Sequence, residues 1–399
     1  MIILKIEMIK TFTWAMYRDQ SFRYGAFGLL SVLFLLSGCQ SFLTKTPDSS
    51  AVAAPPIPLA SHEFSFDPFR DDVIGSIQVI TAEYEDTLSD IARRFNLGYE
   101  EIVSANPDID PWLPGEGTRI IIPTQFVLPD APREGIVINL AAMRLFYFPE
   151  SKAGELQKVI THPVGIGRMQ WKTPEGATRI TAKNKNPVWI PTPSIHREYA
   201  NNGNPLPAVV PPGPENPMGA HVLRLAWPRY AIHGTNKPPS VGLRGSFGCI
   251  RMYPEDIAGI FNNVSVGTPV RVVNQPRLLG WRDNQLYLQT YAILEDDKRN
   301  HDKLFSKLLT ATRSTLKSQI NARPHIIINE VLLNEVIHHP RAIAVPVTSQ
   351  DMTLLAYFNQ AKHVQNALPM YATWTNETTD QLTTAEVQKM ANEESEKIR

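Results

Sequence analysis

Cysteine is nearly missing from this chain. Only Cys39 and Cys249 occur in 399 residues, so no cysteine cluster is available to hold a metal. Excess charge is missing as well: Lys+Arg and Asp+Glu both number 39, which leaves no basic footprint for a nucleic-acid partner. Long apolar runs are absent but for Gly25 to Gly38, whose apolar core of about 10–14 residues falls short of the ~20 needed to span a bilayer. Proline is plentiful, with 33 residues in linkers and β-rich stretches, and this disfavours an all-helical fold. A 43% hydrophobic share with 20% charged residues fits soluble globular domains, and the length suggests two or three of them.

Arg18 and Arg23 precede the apolar run and Cys39 ends it, the order of a secretory signal. The ending Leu36-Ser37-Gly38-Cys39 resembles the lipobox of bacterial lipoproteins, which implies cleavage before Cys39 and lipidation of that residue. An ordinary signal peptide or short anchor is the alternative. Gln40 stands where an inner-membrane retention signal often has Asp, so the resemblance implies a periplasmic protein anchored in the outer rather than the inner membrane. The first fifteen residues look surplus to this signal, and Met16 is an alternative start. If Cys39 carries lipid, Cys249 is the one thiol left in an oxidising compartment, where structural cysteines are normally paired. A lone thiol there points to catalysis.

Residues 40–75 are rich in Pro, Ser and Ala without periodicity and read as a flexible tether. Residues 76–125 read as strand–helix–helix–strand. Gln78 to Thr81 alternates, Thr87 with Asp90 three positions on forms a capping pattern, and Leu88, Ile91, Ala92 and Phe95 share one helical face. A second short helix carries Ile102 and Val103, and Thr118 to Ile122 is the closing strand. The set Glu85-Asp86-Thr87-Leu88, Ile91-Ala92, Phe95, Asn106 and Ile-Ile-Pro resembles the LysM module. The resemblance implies binding of peptidoglycan glycan chains through Asp86, Thr87, Leu88 and Asn106. Glu85 stands where the family usually has Gly. A spacer without glycan affinity is the bland alternative, because a helix pair of this kind signals a fold more than an affinity.

Residues 134–274 read as mostly β. Runs 135–140 and 143–148 form a hairpin, further strands fall near 159–161, 178–181, 223–225, 230–232 and 267–273, and a helix begins at Pro254. In its centre stand His233-Gly234-Thr235 and Ser246-Phe247-Gly248-Cys249-Ile250-Arg251. Thiol chemistry needs a thiolate, a nearby base to make it and backbone N–H groups to hold the oxyanion. Cys249 suits the nucleophile and His233 the base, an arrangement that lowers a thiol's pKa. The N–H groups of Gly248 and Cys249 suit the oxyanion. Ser246 either orients His233 or shapes the turn. Arg251, two residues past Cys249, falls on the same strand face and either clamps a substrate carboxylate or closes a structural ion pair.

Together with Thr-Pro-x-Gly at 173–176, Asn-Pro-x-Trp-x-Pro at 186–191 and Gly-Thr-Pro-Val at 267–270, these motifs resemble the L,D-transpeptidase (YkuD-type) catalytic domain. The resemblance implies a mainly β, sandwich-like fold and a cofactor-free reaction. Cys249 would attack the diaminopimelate–D-alanine bond of a peptidoglycan tetrapeptide stem and pass the acyl group to an amine. That amine would be a second diaminopimelate, giving a 3→3 cross-link, or a lysine of an envelope lipoprotein; water would make the enzyme an L,D-carboxypeptidase. It also implies that a backbone carbonyl just after the histidine, that of Gly234, orients the ring. Phe247 stands where the family often has His, which bears on substrate contacts. A non-catalytic tether between outer membrane and wall is the rival reading. Residues 275–399 read as a mixed, partly helical C-terminal extension of unassigned role, with a helix over Asn329 to His339. His338-His339 is no metal site, since neighbouring helix positions point different ways.

Overall fold

The computed structural model describes residues 62–152, 154–318 and 327–367. The apolar run, Cys39, most of the expected tether and the end of the C-terminal extension lie outside the described residues. Among the described residues no helix is long and apolar enough to cross a membrane.

The tether is shorter than its composition suggests. Residues 63–66 form β1 (Glu63–Phe66) and residues 73–75 form β2 (Val73–Gly75). Strands of four and three residues are too short for alternation to stand out against a polar, Pro-rich background. What fixes them is long-range: Phe66, Val73 and Ile74 are buried in cores supplied by later segments.

The next unit follows the expected order. β3 (Gln78–Thr81), α1 (Leu88–Arg94), α2 (Tyr99–Ala105) and β4 (Arg119–Ile122) form a small β-α-α-β layer, and β3 pairs antiparallel with β4. Thr87 caps α1 by accepting the Asp90 N–H at 3.1 Å. Gly98 opens α2, and its N–H donates to the Glu101 carboxylate at 2.8 Å, satisfying a donor that a helix start leaves open. β5 (Gln125–Val127) then pairs with β2.

Eight strands of the third unit join β1 in one nine-stranded sheet. They are β6 (Gly135–Asn139), β7 (Arg144–Phe148), β8 (Gln157–Pro163), β10 (Gly176–Lys185), β11 (His221–Leu225), β12 (Ala231–His233), β14 (Ile250–Arg251) and β15 (Pro269–Val273), in the spatial order β1-β8-β7-β6-β15-β10-β11-β12-β14. Two short strands, β9 (Ile166–Gly167) and β13 (Arg244–Ser246), pair beside it. Two helices belong to this unit, α3 (Pro193–Asn201) and α4 (Pro254–Asn263). The runs at 135–148 are apolar at nearly every position because both faces are covered. Ile136, Ile138, Leu145 and Tyr147 face a core shared with β11, β12, β14 and α4. Val137, Phe146, Phe148 and Val159 face the other way and pack with Leu88, Ile91, Leu97 and Ile102 of the helix pair.

The helix pair is therefore no separate bead. Arg144 on β7 is 1% exposed and forms a two-pronged ion pair with Glu101 of α2, at 2.6 and 2.7 Å. Its guanidinium also donates to the Asn96 carbonyl at 2.9 Å. On the far side, Val79, Ala105 and Ile121 share a core with the C-terminal segment. That segment adds the sheet β16 (Arg277–Arg282), β17 (Gln285–Thr290) and β18 (Ala344–Pro346). It also adds α5 (His301–Ser318), α6 (Glu330–His338) and α7 (Leu354–Asn359). Its last strand, β19 (Lys362–His363), pairs parallel with β3.

Candidate active site

β12 and β14 run parallel, with Ile232 opposite Ile250 and His233 opposite Arg251. Side chains alternate along a strand. Ile232 and Ile250 enter the main core, which turns His233, Cys249 and Arg251 to the other face. Cys249 packs there with Met218, Val222, Ala231 and Trp189 and is half-buried. Its Sγ lies 3.4 Å from the carbonyl of Arg229, a residue in the left-handed region at φ 71°.

The turn before Cys249 is built on Ser246. The Ser246 Oγ accepts the Gly248 N–H at 3.1 Å and donates to the Cys249 carbonyl at 2.5 Å. This decides between the two roles open to Ser246: it shapes the turn and makes no bond to His233. It also corrects the expectation for Gly248, whose N–H is engaged within the turn and is not free for an oxyanion. The Cys249 N–H makes no such turn bond. Gly248 is still required, because its φ is +103° and a Cβ there would lie 2.9 Å from the Tyr230 ring. Thr173 closes the back of the turn by donating to the Gly248 carbonyl at 2.8 Å.

His233 is 4% exposed, and its Nδ1 lies 2.6 Å from the Gly234 carbonyl. With Nδ1 as the donor, Nε2 carries the lone pair that accepts a proton. Burial, then the charge of Arg251, pull its pKa down to about 3, against the opposing Gly234 carbonyl. Burial pushes the Cys249 thiol up, with the Ala231 backbone, Arg224 and Arg251 pulling the other way. The resting pair is thus neutral thiol and neutral imidazole. For the thiol, burial and the nearby positive charge oppose each other, with burial the larger, against the expectation of a lowered pKa from pairing with a histidine.

Arg251 is anchored by mutual backbone bonds with Gly165, both at 2.9 Å. Its Nε is buried without a partner, and among the described residues no carboxylate pairs with its guanidinium. Phe247 has a local account. Its ring meets Trp171 at 5.0 Å edge-on and Tyr199 of α3 at 5.8 Å, and the Arg168 guanidinium lies 4.5 Å from it. Arg168 in turn pairs with Glu198 of α3 at 2.8 Å. The excursion 186–220 therefore returns against the nucleophile turn through α3. The Thr192-Pro193 start of α3 carried a legible signal, an N-cap threonine followed by proline at the first helical position.

The comparisons with known proteins agree with this geometry. Residues 133–272 match the model of the L,D-transpeptidase catalytic domain, and residues 80–123 match the LysM domain. The probable L,D-transpeptidase YbiS of Escherichia coli is 37% identical over 277 residues, covering 68% of this chain and 88% of that protein. The chain belongs to the L,D-transpeptidase family. The probable L,D-transpeptidase YcfS of Escherichia coli is 40% identical over 57% of this chain and 71% of its own length. ErfK/SrfK of Salmonella typhimurium, also a probable L,D-transpeptidase, is 42% identical over 52% and 67%.

As an L,D-transpeptidase with a LysM domain, the protein binds peptidoglycan and acts on it. The residues expected to contact glycan are nonetheless mostly sealed inside this L,D-transpeptidase. Leu88 is fully buried. Asn106 spends its amide on the carbonyls of Ile102 and Ile121 and on the Ile121 N–H. Asp86 is buried between Arg94 at 3.0 Å and Asn366 at 2.6 Å. Thr87 remains half-buried as a helix cap. The same two loops, joined by the Leu88 N–H to Pro111 carbonyl bond at 2.8 Å, instead present Tyr84 and Trp112, which are 77% and 69% exposed.

Proposed function

We propose that Cys249 is the acyl-carrying nucleophile of this peptidoglycan L,D-transpeptidase and His233 its base. The observation that carries the assignment is the shared face of Cys249, His233 and Arg251, with the His233 ring fixed by the Gly234 carbonyl at 2.6 Å. Cys249 passes its proton to His233 Nε2 as Sγ attacks the carbonyl between diaminopimelate and D-alanine. The Cys249 N–H holds the oxyanion. D-Alanine leaves as an amine, taking the proton from His233, and an acceptor amine then attacks the thioester. Arg251 meets a stem-peptide carboxylate, a role that its missing internal partner supports. Incubation with tetrapeptide muropeptides tests this: wild type releases D-alanine and Cys249→Ala does not, whereas equal turnover by both would remove the acyl-enzyme.

The acceptor, a second diaminopimelate, a protein lysine or water, is read from the same products by mass. Residues 134–274 hold the chemistry and 76–125 the glycan contact, with Tyr84 and Trp112 as the rings that stack on sugar. The order of basic residues, apolar run and Cys39 supports an envelope location with a lipid anchor at Cys39, in the outer membrane. Cys39→Ser should then move the protein from the membrane to the soluble fraction.

A further inference from the structure

Away from the nucleophile, three donor side chains meet where four chain segments touch. His62 lies just before β1, His162 is on β8, and Asp256 is in the first turn of α4. One ligand-type atom from each falls within 4.8 Å of the others. His162 Nδ1 lies 3.0 Å from the Asp256 carboxylate. The two imidazole rings stand 4.3 Å apart at 53°. His162 and Asp256 are nearly fully buried, and His62 is half-buried.

We propose that His62, His162 and Asp256 form a structural zinc site that staples the N-terminal strand and the helix pair to the catalytic sheet. Two imidazoles and one carboxylate are an established donor set for this ion, with bonds of about 2.0–2.2 Å and a tetrahedral arrangement. A dication on one carboxylate and two neutral rings leaves a single positive charge, mild for a buried centre.

A second observation concerns Asn96, between α1 and α2, which is 7% exposed. Its Nδ2 lies 2.8 and 2.9 Å from the two Asp256 oxygens and 3.3 Å from His162 Nδ1, while its Oδ1 is buried without a partner. A half-turn of that amide brings Oδ1 into the cluster as a fourth donor. The site bears on catalysis only through position. α4 follows the nucleophile strand directly, and the Met252 N–H between them donates to the His233 carbonyl at 2.9 Å.

The test uses the full chain without a histidine tag, carrying Cys249→Ala so that no thiol competes for metal. After chelator treatment the protein is titrated with Zn2+, and separately with Co2+ followed by its visible bands. We expect one equivalent per chain, tetrahedral Co2+ bands and a melting temperature raised by Zn2+. His62→Gln, a partly exposed position at a strand start, should keep its circular dichroism but bind at least ~100-fold more weakly and lose the Zn2+ shift. Asn96→Ala should weaken binding by about 10–100-fold. No uptake by the Cys249→Ala protein, or uptake unchanged by both His62→Gln and His162→Gln, overturns the proposal. A melting temperature that follows pH but not Zn2+ also overturns it, leaving the cluster as a proton-held pair. None of these outcomes depends on the acyl-transfer assignment.

Discussion

Burial pushes both members of the proposed pair toward their uncharged forms. His233 is held down to about 3 and the Cys249 thiol is pushed up, so the base is free, and the thiol still protonated, throughout the neutral range. For a base with a depressed pKa the free form persists until pH falls to that value, so acid does not silence it near the usual imidazole value of ~6.5. The expected profile of kcat/KM is level across about pH 5–8; an acid limb near 6.5 would contradict it. Alkylation by iodoacetamide, which needs the thiolate, should in parallel be slow at pH 7 and still rising about tenfold per pH unit near pH 9. Ser246→Ala removes the partner of the Gly248 N–H and of the Cys249 carbonyl together. Buried groups left unpaired cost about 1–3 kcal/mol, here within the turn that aims Sγ. The variant should therefore lose turnover far more than substrate affinity. At this scale the sequence singled out Cys249 and His233 as the candidates for the proposed chemistry, because their motifs are local. It did not show that the Gly248 N–H is already taken, since that bond depends on the turn geometry. Nor could it bring His62, His162 and Asp256 together, as they come from three separate segments.

Elements were legible where their pattern was local and hidden where the partner was distant. α1, α2 and α6 carry caps and apolar faces within their own residues, α4 carries a first-turn proline and an apolar face, and Asn329 caps α6 as its position suggests, accepting the Leu332 N–H at 3.0 Å. β1 and β2 carry too few residues to show a period, and only β8 and β5 give them a reason to be strands. Arg144 illustrates the same limit. In the sequence it is one polar residue in an apolar strand, whereas in the fold it is the anchor on which α2 docks through Glu101. Leaving one charge of a buried pair unpaired is costly, whereas replacing both members by apolar groups can be close to neutral. Glu101→Gln should accordingly lower unfolding stability by about 3–5 kcal/mol in denaturant titrations. The double variant Glu101→Leu, Arg144→Met should be less destabilised than either single variant. Equal losses for single and double variants would show that packing, not charge, dominates this joint.

The whole molecule departs most from a reading as separate modules on a tether. One face of the nine-stranded sheet packs on the catalytic core and the other on the LysM helices, which also share a core with the C-terminal segment. Motif spacing locates each unit but says nothing about which of its faces stays covered. Phe146, Phe148 and Val159 have their neighbours in residues 66–128, so cutting the chain to 134–274 uncovers a broad apolar surface. The excised piece should express poorly, bind ANS and lose a cooperative melt, as a chain without fixed packing does. The described unit with all three parts should melt in a single transition. If 134–274 instead melts sharply and keeps its D-alanine release, the helix pair is a detachable accessory. The structure argues against that outcome, because Asn96, Leu97, Tyr99, Glu100 and Glu101 all bond directly to residues of the catalytic sheet or its helix α4 and loops. Under the proposed glycan contact at Tyr84 and Trp112, the bound strand would keep a fixed relation to Cys249. On that proposal the joint would set which stem along a glycan strand Cys249 reaches, and so bear on catalysis as well as on stability. Lengthening the 125–134 connection should leave that register unchanged, while Glu101→Gln should broaden the spread of stems used on intact sacculi, read by mass spectrometry of the released muropeptides.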